Sequence, residues 1–111
     1  MNWEIEVTYD IPKDRIMSAV KSGLKYISLN WGDVRMLPSV IETMWEITET
    51  EVNHPEDHVN LLGSVSIKSG VRQLAVEDPE AFANLMTPTK WDEQTGQLIV
   101  QYGLWGEARY V

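Results

Sequence analysis

The chain has no cysteine, one phenylalanine, and nine basic residues against seventeen acidic ones among its 111 residues. The missing cysteines exclude a disulfide framework, a thiol nucleophile and any thiolate metal site. The shortage of bases leaves a net charge of −8. A field of that sign repels nucleic-acid phosphates and anionic lipid, and attracts a basic partner. No apolar run approaches the ~20 residues that a membrane-spanning helix needs. The opening Met-Asn-Trp-Glu-Ile-Glu lacks the pattern of a secretion signal, so a cytoplasmic protein is expected. Neither a phosphate-binding glycine loop nor a nucleophile elbow is present. What remains is hydrophobic content of 43% with five tryptophans, enough for one core, and residues 1–111 are read as a single domain.

The charge is unevenly placed. Residues 1–30 carry four acids and four bases, residues 31–60 carry seven acids against Arg35 alone, and residues 61–111 carry six acids and four bases. The middle third therefore holds most of the excess.

The segment from Asp92 to Val111 organises the rest. Leu98, Ile99, Tyr102 and Trp105 form one helical stripe, and Val100 and Leu104 form a second. Only Gln94, Gln97 and Gln101 mark a wet side. A surface helix shows an apolar stripe roughly 100° wide, so a broader one predicts burial on several sides. Asp92 or Thr95 is the expected cap, and Gly106 the expected end. Ala108–Val111 is free to run as an edge strand.

Upstream, residues 3–9 alternate. Trp3, Ile5, Val7 and Tyr9 face one way, and Glu4, Glu6 and Thr8 the other, which predicts a half-buried strand. Asp10 followed by Pro12 predicts a helix from about Pro12 to Ser28, with Asp10 as its cap. Gly23 inside that helix costs about 0.8–1 kcal/mol relative to alanine, which points to another backbone packed closely there. Residues 29–33 read as a turn with Gly32 at positive φ, and 34–37 as a short strand stopped by Pro38. Residues 39–52 are rich in β-branched side chains and alternate Trp45 and Ile47 with Met44, Glu46 and Thr48. This favours a strand, the alternative being a helix capped by Ser39 and Glu42. Asn53–Asn60 reads as a polar loop and 61–65 as a brief strand. Ser66 is the expected cap of a helix carrying Ile67, Val71 and Leu74, and Pro79 to Met86 a further short helix. The predicted fold is α+β: a small, mainly antiparallel sheet of three to four strands on three to four helices, with a buried C-terminal helix.

Chemistry-bearing clusters are few. His54-Pro-Glu-Asp-His58 places two imidazoles and two carboxylates in five residues. Pro55 forces His54 into an extended conformation, so the two rings do not share a helical face and no metal site is expected. Glu42 and Glu46 share the wet side of their strand, and no catalytic residue, metal or cofactor is assigned. The aromatics Tyr26, Trp31, Trp45, Trp91, Trp105 and Tyr110 exceed what a small core readily takes in, and tryptophan and tyrosine are over-represented at binding hot spots. Trp31 and Trp91, in loops, are expected to be the most exposed.

The motif Gln101-Tyr102-Gly103-Leu104-Trp105-Gly106-Glu107, with Asp92, Leu98, Ile99 and Tyr110 around it, resembles the ending of a family of small bacteriophage and prophage proteins. In those proteins the segment reads Gln-Tyr-Ala-Leu-Phe-Gly-Glu. Ser22-Gly23-Leu24-Lys25-Tyr26-Ile27 stands where the family has Gly-Gly-x-x-Tyr-Trp, with isoleucine replacing the tryptophan. Thr95-Gly96 stands where the family has Ala-Asp, so nothing attached to that aspartate carries over. The resemblance implies a phage or mobile-element setting and brings no activity with it.

Three functions follow as expectations. The first is a non-enzymatic accessory protein that inhibits a bacterial defence or regulatory complex, in the anti-CRISPR manner, by protein binding. Glu42, Glu46, Glu49, Glu51, Glu56, Asp57 and Trp31 would meet a basic host surface, with no direct contact to nucleic acid or membrane. The second is a sponge for a small molecule or nucleotide signal, held by Tyr26, Lys25, Arg35, Trp105 and Arg109. The third is a small enzyme. A homodimer is compatible with all three.

Overall fold

The computed structural model describes residues 2–6, 9–38, 42–86 and 92–110. Outside this set lie residues 1, 7, 8, 39–41, 87–91 and 111, and for residues 2–6, 9 and 10 only the backbone is described. The expected facing of Trp3, Ile5, Val7 and Tyr9 and the exposure of Trp91 fall there.

Two strands open the chain, β1 (Asn2–Glu6) and β2 (Tyr9–Pro12), paired antiparallel with an irregularity between Glu4 and Glu6. Asp10 therefore lies in a strand and does not cap a helix. Helix α1 (Lys13–Asn30) starts after Pro12, with no side-chain cap. Pro12, the last residue of β2, is still extended and has no N–H to carry the ladder on, and after it Ile16, Val20, Leu24 and Ile27 turn to the core. Strand β3 (Gly32–Leu37) follows one turn residue, Trp31. Gly32 does not adopt the expected positive φ. It is a strand residue, and a side chain there would crowd Ile27 Cγ2 at 3.0 Å.

Strand β4 (Met44–Glu49) pairs with β3 and with β5 (Val59–Leu62), giving an antiparallel sheet in the order β3-β4-β5. Trp45 and Ile47 point to the core, as their alternation predicts. Helix α2 (Ser64–Glu77) begins two residues before the expected Ser66, with Gly63 at its cap. Helix α3 (Pro79–Met86) has the predicted limits. Asp78 caps it, its Oδ1 accepting the Ala81 N–H at 3.0 Å.

Helix α4 (Asp92–Trp105) lies between α1 and α2 and also touches α3 and β5. The α+β architecture and the buried C-terminal helix are thus as the pattern predicts. Gly106 ends α4 at φ 71°, its N–H bonded to the Tyr102 carbonyl at 2.9 Å. No described helix is long and apolar enough to cross a membrane.

Two glycine pairs set the depth at which α4 is seated. Gly96 meets Gly23 of α1, where a Cβ on either would collide with backbone of the other helix. Gly103 meets Gly70 of α2 in the same way, against the Ser66 and Ile99 carbonyls. Helix axes usually stay ~8–10 Å apart because side chains hold them off, and paired glycines remove that spacer. At the start of α4, Arg15 of α1 donates to both Asp92 oxygens at 2.9 and 2.8 Å and to the Asn84 carbonyl at 2.6 Å, tying three helices together. Thr95 is not a cap, since it sits buried inside the helix.

The wet side of α4 is the main departure. Gln94 is exposed, but Gln97 and Gln101 are 1% and 0% exposed. The chain after Gly106 folds back over them. Gln101 Oε1 accepts the N–H groups of Arg109 and Tyr110, each at 2.7 Å. Its Nε2 donates to the Tyr110 carbonyl at 2.7 Å and to Gln97 Oε1 at 2.5 Å, and Gln97 in turn donates to Gln94. This clasp holds residues 108–110 as an irregular segment and not as the expected edge strand.

Candidate functional site

One end of the molecule gathers chain from five places: the end of α1, the start of β3, the end of β4, the loop between β4 and β5, and the segment after α4. Trp31 and Tyr110 stack there, ring centroids 4.4 Å apart and 10° from parallel. Trp105 leans on both, at 5.6 Å from Trp31 and 6.0 Å from Tyr110. The Arg109 guanidinium lies 4.5 Å above the Trp105 ring.

Glu49 anchors this cluster. It lies on the core side of β4 and is 3% exposed. A carboxylate so placed needs partners. Tyr110 Oη donates to Oε1 at 2.6 Å, His58 Nδ1 stands 3.2 Å from Oε2, and Arg109 reaches Oε1 at 3.9 Å. Arg109 also bonds Glu107 at 3.1 Å. A shallow groove of about 400 Å³ opens beside the stack, lined by Tyr26, Asn30, Trp31, Glu51, Arg109 and Tyr110.

The residues expected to meet a partner do not form one face. Glu42 sits before β4, at its far end, lining a different hollow with Lys13, Lys21 and Ser64. Glu46 is on the outer sheet face, 3.6 Å from Arg35. Glu49 is buried, and Trp31, expected to be exposed, is 4% exposed. Tyr110 and Trp105 cover that indole. Glu51, Glu56 and Asp57 are exposed, all on the loop that follows β4. Of the ligand set, Tyr26 and Arg109 line the groove, Trp105 lies under Arg109, Lys25 is exposed on α1, and Arg35 is remote on β3.

Of the other residues here, Tyr110 is legible in the sequence as one of the excess aromatics, His58 as part of the histidine cluster and Glu107 through the phage-like motif, while Asn30 carries no signal. One signal for Glu49 was available: it shares the parity of Trp45 and Ile47. His54 also departs from expectation, with φ 57° and ψ 65°, left-handed rather than extended, leading into the 3-10 turn Pro55–Asp57. The two imidazoles turn to different acids, His54 to Glu56 at 3.5 Å and His58 to Glu49.

Burial, then the bond to Glu49 and its charge, push the Tyr110 phenol up to about 12, with Glu51 adding to the rise and Arg109 opposing it. The unfolded phenol titrates near ~10, so between these values the unfolded chain loses a proton that the folded chain keeps. The contribution is therefore complete below about pH 10 and is lost as pH rises through about 12. Urea unfolding at stepped alkaline pH should show wild type losing stability across that window more steeply than Tyr110→Phe. Parallel curves for the two proteins would contradict the Tyr110–Glu49 bond.

No protein-family model, curated protein or solved structure matches this chain. Fold and site geometry therefore carry the functional reading.

Proposed function

We propose that the protein acts by binding another protein, without catalysis, and that the end bearing Glu51, Glu56, Asp57 and Glu107 recognises a basic surface. One observation carries this reading. Three exposed carboxylates sit on a single loop beside a groove whose lining cation, Arg109, is already held by Glu107 and Glu49. The local field is negative, and complementary charge speeds encounter and sets orientation. Beside Glu51, the clasped segment and the aromatic stack supply a firm base, which lowers the ordering cost of binding. The resemblance to phage proteins suggests the partner: a bacterial defence or regulatory complex, inhibited by occupation of its basic groove, as an anti-CRISPR would do. Such grooves are basic because they hold nucleic acid.

The test is association with a purified nucleic-acid-dependent host complex. Binding should weaken steeply with rising salt. The triple variant Glu51→Lys, Glu56→Lys, Asp57→Lys should associate at least about tenfold more slowly. Salt-insensitive binding, or a triple variant with unchanged kinetics, would remove the acidic end from the interface.

A second reading, a small-molecule or nucleotide sponge, draws on the aromatic lining of the groove, whose volume falls in the usual range for ligand sites. It is less well supported. Trp31 and Tyr110 already stack on each other, and an anionic ligand would have to take Arg109 from two carboxylates. A nucleotide panel that raises stability by about 2.7 kcal/mol at a hundredfold excess over Kd would revive it.

A further inference from the structure

We infer that two copies of this chain associate by antiparallel pairing of their β3 strands, joining two three-stranded sheets into one of six strands. Among the described residues β4 alone pairs with β3, which makes β3 an edge strand. Among the described residues, no backbone group of 32–37 bonds outside the β3–β4 ladder. An edge six residues long presents a row of unpaired donors and acceptors, and proteins that stay monomeric usually blunt such an edge with charged side chains, a proline, a bulge or an inward charge; β3 carries two charges, but of opposite sign. Here Pro38 comes only after the strand, the register with β4 is continuous, and the charges at 33 and 35 point outward.

The sequence Gly32-Asp33-Val34-Arg35-Met36 selects the occupant. An antiparallel pair with its two-fold axis through Val34 sets Asp33 opposite Arg35 of the second copy, and Arg35 opposite its Asp33. Both residues are exposed and lie on the same outer face. Opposite charges directly across an antiparallel pair are favourable, and like charges are not. The two-fold axis makes this attraction twice. Arg35 already leans toward Glu46 on its other side, so in the pair it would sit between two carboxylates. On the opposite face, Val34 meets its own copy. Met36, 67% exposed although it shares Val34's side, comes to lie across from Gly32, the position without a side chain. The other edge, β5, is four residues long and carries no charge to choose a register.

The surface involved is small, at the low end for specific association, so the dimer should form reversibly. Sedimentation equilibrium of the full chain, from about 5 to about 500 µM, should show conversion from 12.7 kDa toward twice that mass. Asp33→Arg sets two pairs of like charge across the axis and should raise Kd at least tenfold. The double variant with Asp33→Arg and Arg35→Asp restores both attractions and should recover dimerisation to within about threefold of wild type. Circular dichroism of each variant checks that the exposed substitutions leave the fold intact. A wild type that stays monomeric throughout, a dimer indifferent to Asp33→Arg, or a double variant that fails to recover would each overturn the assignment.

Discussion

Alanine at position 96 should destabilise the protein by about 3 kcal/mol, in spite of alanine's better helix propensity. The gain from propensity is about 0.8–1 kcal/mol. Against it stands a collision. The added Cβ would fall on the Ala19 carbonyl of α1, and backbone cannot step aside as a flexible side chain can. Relief requires α1 and α4 to separate, loosening Ile16, Val20, Ile99 and Val100 together. Overpacking costs typically 1–3 kcal/mol and occasionally more, and with fixed backbone on both sides of the contact about 4 is expected, which leaves about 3 after the gain in propensity. The melting temperature should fall by roughly 12–20 °C for a domain of this size. Gly106→Ala is the contrasting case: nothing lies within 4 Å, and the cost is only that of φ 71° in a residue with a Cβ. A Gly96→Ala protein melting within about 2 °C of wild type would mean that α1 and α4 do not cross there.

Gln101→Leu should cost about 2–4 kcal/mol and release the segment after Gly106. The side chain uses both donor hydrogens and accepts two N–H bonds, so its amide is fully committed. Leucine fills much of the space but leaves the Arg109 and Tyr110 amides, the Tyr110 carbonyl and Gln97 Oε1 without a partner. Each buried orphan costs about 1–3 kcal/mol, so the segment swings into water once their sum exceeds what the Trp31–Tyr110 stack and the Tyr110–Glu49 bond supply. Trp31 then loses its cover. Tryptophan emission should shift to the red, and protease should cut the terminal segment while α4 stays protected. Unchanged emission and cleavage would show that the clasp does not hold the segment. The same variant probes the proposed binding end, because Arg109 and Tyr110 leave the groove with the segment.

These two effects mark where sequence reasoning reached and where it stopped. Gly23 was legible because a glycine in mid-helix is costly without a close neighbour, and Gly96 is that neighbour. The partner itself was not legible, since nothing local in α4 says which helix crosses it. Trp45 and Ile47 were placed correctly by alternation alone. The same rule, carried one step further along β4, would have placed Glu49 inside. Its charge argued the other way, because glutamate is rarely buried unless paired. The pairing residue, Tyr110, lies 61 positions away. Strand β2 was hidden by a strong cap-like signal at Asp10 and Pro12, which tertiary pairing with β1 overrode.

The chain's own pattern determined the α+β class, the order of its elements from α1 onward, the broad apolar girth of α4 and the excess of acid in the middle third. Those follow from periodicity and composition, which act over a few residues. Only the tertiary structure decided that Gln97 and Gln101 are inside, that Trp31 is covered, and that the acids divide, with Glu51, Glu56 and Asp57 exposed on one loop. Each of these depends on a partner brought from far along the chain. A polar side chain is buried or exposed according to whether such a partner arrives, and local spacing carries no record of it.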